Sequence, residues 1–174
     1  MMSFDDTDYG ETDVMKGLLA GVAGGILASF LMEQFQAAWS AAAEAMQPSK
    51  EQGGAKSDPA TVKAANAVAK KMTGRGVPQE YKPIAGEAVH YGVGATSGAV
   101  YGVLAEVMPI VTLGDGTGFG TGVWLLVDEI GVPAVGLSKS ARETPLTTHV
   151  YAFASHLVYG WITETVRQAV RRAL

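Results

Sequence analysis

The sequence predicts an all-α membrane protein with three or four transmembrane helices, one of them re-entrant or broken, and a short amphipathic surface helix. Two observations support this fold class. Apolar residues make up 48% of the chain and charged residues only 17%, whereas soluble domains carry roughly a quarter of charged residues. The apolar residues also gather in long runs that few charges interrupt. The length of 174 residues fits a single membrane domain, residues 1–174.

Composition excludes several other classes of protein. The chain has no cysteine, which rules out a disulfide framework, a thiolate metal site and a cysteine nucleophile. The net charge of −4 argues against a nucleic-acid-binding protein. Residues 1–13 form an acidic tail, whereas a secretory signal peptide begins with a basic region. We therefore expect the first apolar segment to remain in the mature protein.

The first apolar segment, residues 14–46, is predicted to be one long helix. It carries no charge between Gly17 and Met32, and about 20 such residues cross a hydrocarbon core of about 30 Å. The alanine-rich stretch that follows extends this helix. Residues 47–83 then form a polar insertion, in which a lysine-bearing helix is too charged to span a membrane and is expected at its surface.

Three further segments follow the insertion. Residues 84–109 form the second predicted span, and residues 146–166 form the last one, before the basic C-terminus at 167–174. Residues 110–137 are ambiguous, because a glycine-rich stretch precedes the apolar WLLV and the acidic pair that follows it. This segment is either a third span or a re-entrant or broken segment, which is tolerated where protein or a polar cavity surrounds it.

The distribution of lysine and arginine predicts the orientation. Basic residues are enriched in cytoplasmic loops, so the insertion at 47–83 is placed in the cytoplasm and the acidic N-terminus outside. A full crossing by the ambiguous segment would put Arg167, Arg171 and Arg172 outside, against this rule. The charge count therefore slightly favours three full spans plus one broken segment.

Glycines recur every four residues in the first two spans. Small residues allow membrane helices to approach closely, which is how such helices associate in lipid. The spacing is typical either of packing between helices of one chain, which we favour, or of an oligomerisation face. The residues predicted to pack helices in this way are Gly17, Gly21, Gly25, Gly94, Gly98 and Gly102.

Ionisable residues inside or beside the spans are the strongest candidates for function. Such groups are costly in a membrane and usually face the bundle interior, paired or functional. Glu87 and His90 share a helical face, as do His149 and His156, and we expect Glu87, His90 and His156 to meet. The predicted polar intramembrane network comprises Glu33, Glu87, His90, Asp128, Glu129, His149, His156 and Glu164.

Three interpretations of this network compete. The Glu-x-x-His spacing of Glu87 and His90 resembles one half of a di-iron site, but the last span offers no second copy. Two histidines on facing helices can also ligate a haem. A hydrogen-bonded network, either structural or proton-relaying, requires the least special geometry. We therefore predict no bound metal, no cofactor and no catalytic residues, and the chain is not expected to be an enzyme.

Several motifs, in order, resemble the YagU-like family of bacterial inner-membrane proteins. They are Glu87-Ala-Val-His90, Gly98-Ala-Val-Tyr101-Gly102, the glycine-rich loop, Trp124 with Asp128-Glu129 and Pro133, and His156-Leu-Val-Tyr159-Gly160. The resemblance covers roughly residues 14–170. It implies a multi-pass protein of the inner membrane and a contribution to growth or survival in acid, and it brings no catalytic residues.

The expected function is therefore that of a non-enzymatic inner-membrane protein. It would act as an accessory or assembly subunit of a membrane complex, or in acid tolerance of the cell envelope. The alternative is a small channel, transporter or metal or haem carrier that uses the intramembrane Glu, Asp and His residues. Expected partners are membrane lipids and other membrane subunits or a second copy of the chain, and not nucleic acid.

Overall fold

The computed structural model describes residues 12–46 and 57–174, and all regular structure in these ranges is helical. This confirms the all-helical prediction. Most of the predicted acidic tail at 1–13 and the linker residues 47–56 lie outside the described residues. The helices are α1 (Val14–Met46), α2 (Ala60–Thr73), α3 (Lys82–Val107), α4 (residues 117–134) and α5 (Leu146–Ala173).

Helix α1 lies at the centre and runs antiparallel to both α3 and α5. Near the start of α1, Gly17 faces Gly102 and Glu106 at the end of α3. Two turns further on, Gly24 faces Thr163, in the second half of α5. Helix α4 lies along α5 in the opposite direction, and α2 packs on the start of α3. We call the end where α1 starts and α5 finishes the arginine end, and the opposite end the α2 end.

Glycine allows α1 and α3 to lie almost backbone to backbone. A Cβ atom at Gly21 would overlap the carbonyl oxygen of Gly98, and one at Gly25 would overlap that of Gly94. Because these neighbours are backbone atoms, they cannot move aside as a side chain would. The six glycines of the predicted packing set face one another in this interface, within one chain.

A second glycine contact, which the sequence analysis missed, joins α4 to α5. Cβ atoms at Gly116 and Gly120 would overlap the carbonyl oxygens of Gly160 and His156, respectively. Gly116 and Gly120 lie in the glycine-rich stretch of the sequence, to which we assigned no role in packing. They bring the ambiguous segment as close to α5 as α3 is to α1.

The ambiguous segment runs from the arginine end to the α2 end in a broken form. Pro109–Thr112 is a 3₁₀ turn, and Gly114, Asp115 and Gly116 then take left-handed backbone angles with φ of 73°, 51° and 83°. Helix α4 therefore begins beside Gly160, part-way along α5. The segment does not turn back, since Lys63 of α2 donates a 3.2 Å hydrogen bond to the Leu137 carbonyl just after α4.

Helix α4 changes register in its middle. An α-helix, Thr117–Val123, continues as a π-helix, Trp124–Gly131, and ends in the α turn Val132–Ala134. The Val132 amide donates to the carbonyl of Val127, five residues back, which is the π-helical pattern. Pro133 has no amide hydrogen and so cannot restore the ordinary bond to Glu129. π-Helical turns are rare and frequent at functional sites.

The interior of the bundle contains several buried polar side chains, and its outside carries many apolar ones. Ser29, Ser155, Thr163 and Glu164 are at most 1% exposed. In contrast, large apolar side chains stand exposed on four helices, among them Leu19, Ile26, Phe30, Val93, Val100, Leu126, Ile130, Val150 and Trp161. Soluble proteins rarely expose apolar surface on this scale.

Among the described helices, α1 alone is long and apolar enough by composition to cross a membrane. Only 39% of its most apolar stretch is buried within the bundle, which is unlike the core helix of a soluble protein. Helices α3 and α5 have sufficient length, but their glycine, tyrosine and histidine residues and the charges of α5 lower their apolar character. The predicted three or four spans are therefore not confirmed by composition, and we return to them below.

Candidate functional site

Each histidine of the described chain lies beside a carboxylate from another helix. The pair closest to the α2 end joins His149 of α5 to Glu129 of α4, with 2.7 Å between Nδ1 and Oε1. The other ring nitrogen, Nε2, lies 3.0 Å from the carbonyl oxygen of Ala141. A carbonyl oxygen only accepts hydrogen bonds, so Nε2 carries a hydrogen. Nδ1 therefore faces the Glu129 carboxylate at a distance that requires a shared proton.

The second pair lies deeper in the bundle, and again one ring nitrogen faces a carbonyl oxygen and the other a carboxylate. Nε2 of His156 is 3.8 Å from Oδ2 of Asp128, and Nδ1 is 2.8 Å from the Ala152 carbonyl of its own helix. Nδ1 thus carries a hydrogen, and Nε2 faces the carboxylate. A proton bound between the two would make an ion pair or a hydrogen bond.

The third pair joins α1 to α3. Nε2 of His90 lies 3.7 Å from Oε1 of Glu33 and 3.5 Å from the Ser29 carbonyl oxygen. The hydroxyl of Tyr91 donates a 2.9 Å hydrogen bond to the other oxygen of Glu33. His90 and His156 both interact electrostatically with Asp128, so the two deeper pairs share one region of the interior.

Glu87 does not join this region. Its side chain is exposed and makes no hydrogen bond or ion pair with any described residue. His90 turns instead towards α1, where Glu33 takes the place that we predicted for Glu87. The spacing of Glu87 and His90 correctly describes one helical face, but spacing alone does not show which neighbouring helix that face meets.

The π-helix explains how two consecutive acidic residues reach two histidines on α5. His149 and His156 are seven residues apart, about 10 Å along a helix axis. Asp128 contacts the deeper ring and Glu129 the shallower one. The sequence offered only a weak signal for this arrangement, namely an acidic pair followed by Pro133.

Glu164 belongs to a separate cluster at the arginine end. Arg167 donates two hydrogen bonds to its carboxylate, of 2.6 and 2.9 Å, and Gln168 donates a third of 2.8 Å. Arg171 pairs with Glu106 of α3 at 2.8 Å, which raises the pKa of the Arg171 guanidinium. Two of the three C-terminal arginines, Arg167 and Arg171, are thus held in ion pairs within the bundle.

Between the two charged regions lies a layer of apolar and hydroxyl groups. Ala28, Met32, Tyr159 and Ile162 form a buried apolar cluster, against which Phe119 packs. The Tyr159 hydroxyl lies 2.8 Å from both the Gly94 carbonyl oxygen, to which it donates, and the Ser97 hydroxyl.

A cavity of about 610 Å³ opens at the α2 end. Asp128, Glu129 and His149 lie on its wall, together with Lys63 of α2 and Lys139 of the segment that follows α4. This volume is in the range of small-molecule sites. No group of three or more histidine and acidic side chains converges in the described chain as a metal site would require.

The fold and the site define a class: a helical bundle with an apolar exterior and histidine–carboxylate pairs inside. A family model described as "Protein of unknown function (DUF1440)" matches residues 37–165, most of the chain, so the protein belongs to the DUF1440 family. The YagU-like resemblance is not confirmed by this match. No curated protein and no solved structure matches the chain.

Proposed function

We propose that this chain is a multi-pass inner-membrane protein without enzymatic activity, which binds and releases protons inside its bundle and contributes to acid tolerance of the envelope. The observation that carries the proposal is the pairing of each histidine in the described chain with a carboxylate from another helix, within an apolar exterior. The protein would act alone or as an accessory subunit of a larger membrane complex.

The apolar exterior supports a membrane location. Lipid takes the place of water around exposed side chains such as Phe30, Val93 and Trp161. Membrane helices associate through small residues and interior polar contacts, and both types of contact join α1 to α3 and α5. With the helix directions observed, α1, α3, the broken segment and α5 would each cross the membrane.

The positions of the basic residues support the orientation. In the described chain, the α2 end carries Lys63, Lys70, Lys71, Arg75, Lys82, Lys139 and Arg142. The opposite end carries Lys16, Arg167, Arg171 and Arg172, of which the middle two are held in ion pairs. The rule on basic residues therefore puts the α2 end in the cytoplasm.

The geometry of the pairs supports proton binding. Histidine titrates near pH 6.5 in water, and neighbouring carboxylates move this value readily. In the pairs of His149 and His156, one ring nitrogen is committed to a carbonyl oxygen and the other faces a carboxylate. Each of these pairs can therefore bind one additional proton, which would lie between the free ring nitrogen and the carboxylate.

An accessory role is supported by the end of α1. Residues 37–46 are helical, exposed throughout and extend past the α1–α3 glycine contact. A helical extension with few contacts of its own provides surface for another subunit or a second copy.

Acid survival of cells provides the test of function. Asp128→Asn and His156→Gln each remove one partner of the deeper pair, and we expect both to lower survival at acidic pH. Glu87→Gln is the matched control, because this glutamate of the second predicted span makes no hydrogen bond or ion pair with any described residue. Equal survival of all strains, with equal protein levels, would contradict the proposal.

NMR of the histidine rings provides the test of mechanism. With ¹⁵N-labelled histidine in lipid nanodiscs, Asp128→Asn should change the Nε2 chemical shift of His156 and leave that of His149 in place. Identical His156 signals in both proteins would mean that the carboxylate does not share a proton with this ring.

A small channel or transporter is the second candidate. The cavity and the broken third segment favour it, because non-helical backbone at membrane depth typically lines a site or a pathway. Ion flux through proteoliposomes containing the purified chain alone would support this candidate over an accessory subunit.

A further inference from the structure

We infer that the cavity at the α2 end is the route by which protons reach Asp128 and His156, and that the arginine end is closed, so that this pair exchanges protons with one side of the membrane only. The inference rests on the proposed function, since it assumes that the bundle spans the membrane and binds protons. It adds the side of the membrane from which protons reach the site, and it distinguishes a one-sided proton-binding site from a channel that crosses the membrane.

Asp128 connects the cavity to the interior. Its side chain is 39% exposed and lies on the cavity wall, whereas that of His156, 3.8 Å away, is 10% exposed. A cavity of about 610 Å³ is far larger than one water molecule needs, and the charged side chains on its wall provide polar partners for water. A proton arriving from this end therefore meets the carboxylate first and the ring second.

Charged groups from every neighbouring element face this route. Glu129 lies beside Asp128 on α4, with His149 opposite on α5. Lys63 projects from α2, and Asp58 at the rim is paired with Lys82. Lys139 and Glu143 come from the segment after α4, and His90, paired with Glu33, lies within electrostatic reach of Asp128. Carboxylates thus outnumber lysines along this route, which favours the arrival of a cation.

The opposite direction is closed by two layers. The apolar cluster of Ala28, Met32, Tyr159 and Ile162, with Phe119 against it, lies between the pair and the arginine end. Beyond it, Phe119 stacks on Tyr101 with ring centres 4.3 Å apart, and Tyr101 is 1% exposed.

The second layer consists of paired charges. The side chains of Glu164, Glu106 and Arg167 are 2%, 9% and 10% exposed. Arg167 donates hydrogen bonds to Glu164, and Arg171 donates to Glu106, so a proton entering from this end would have to break a buried ion pair. Backbone contact between Gly116 and Gly160 leaves no space for a side chain beside this cluster.

Cysteine accessibility tests the inference, because the native chain contains no cysteine. A cationic, membrane-impermeant methanethiosulfonate would be applied to the full-length protein in spheroplasts and in inverted vesicles. The test position is Asp128→Cys, and Ala152→Cys, also on the cavity wall, serves if the first variant does not accumulate. Ser138→Cys marks the rim of the cavity, Thr112→Cys the arginine end, and Thr163→Cys, 0% exposed, the closed interior.

We expect the two cavity positions to react in inverted vesicles and not in spheroplasts. Because a thiol reacts only where the reagent reaches its thiolate, their rates should exceed that of Thr163→Cys by at least about tenfold. Reaction from the spheroplast side, from both sides, or no faster than Thr163→Cys would overturn the inference. If Ser138→Cys and Thr112→Cys react from the same side, the proposed membrane topology fails instead.

Discussion

Gly98 is the position where one added methyl group should force the two central helices apart. In the structure, a Cβ atom at Gly98 would lie 2.8 Å from the Gly25 Cα and 3.0 Å from its nitrogen, and closer still to the Gly21 carbonyl oxygen. All three neighbours are backbone atoms. Ordinary contact begins near 3.4 Å, so α1 and α3 would have to separate by more than half an ångström.

The size of the effect follows from what this separation removes. A gap of about 0.5–1 Å already forfeits a quarter to a half of each dispersion contact across it. Overpacking of a core typically costs about 1–3 kcal/mol, and we expect Gly98→Ala to destabilise the bundle by this amount. Gly98→Leu, with a branched side chain, should destabilise it further.

Gly92 provides the matched control on the same helix. A Cβ atom there would meet nothing within 4 Å, so Gly92→Ala adds the same methyl group without a clash. Alanine is favoured over glycine in a helix by up to about 1 kcal/mol, and Gly92→Ala should be neutral or slightly stabilising. Thermal unfolding of the two purified variants in one detergent measures the difference, and equal melting temperatures would refute the close approach of α1 and α3.

Two further predictions concern interior polar groups. Arg167→Gln leaves Glu164 buried without its main partner, and breaking a buried ion pair costs roughly 3–5 kcal/mol in soluble proteins. We therefore expect a strong loss of folded protein in detergent. The control Arg172→Gln, at an exposed position, should unfold like the wild type. Tyr159→Phe removes the hydroxyl that forms a hydrogen bond between α5 and α3. Because such bonds average about 0.6 kcal/mol in membranes, chemical unfolding should show only a small destabilisation. A loss of stability as large as that of Arg167→Gln would contradict this prediction.

The sequence predicted the helices and the small-residue spacing because both depend on local periodicity. Glycine at every fourth position of the first two spans occupies one helical face whatever the partner. The sequence could not show that these two faces meet each other, since Gly21 and Gly98 are far apart in the chain. The contact of Gly116 and Gly120 with α5 was missed because the glycine-rich stretch belongs to the segment whose path the sequence left ambiguous.

The pairing of ionisable groups was harder to predict than the glycine spacing, because it depends on how the helices pack against one another. The candidates included both members of the pairs of His149 and His156, but helical spacing favoured Glu87 as the partner of His90. The carboxylate beside His90 is that of Glu33, whose position depends on the axial register between α1 and α3. Glu106 and Arg171, 65 residues apart, carried no local signal at all. The π-helix that positions Asp128 and Glu129 could not be predicted either, because the sequence was analysed for the 3.6-residue period of an α-helix.

The central claim is that the bundle lies across a membrane with the α2 end in the cytoplasm, and labelling of single cysteines in intact cells tests it most directly. Ser57→Cys and Ser138→Cys lie at the α2 end and Thr112→Cys at the arginine end. We predict that an impermeant maleimide labels Thr112→Cys in intact cells and the other two only after permeabilisation. Labelling of Ser138→Cys together with Thr112→Cys before permeabilisation would show that the third segment does not cross, and would contradict the account.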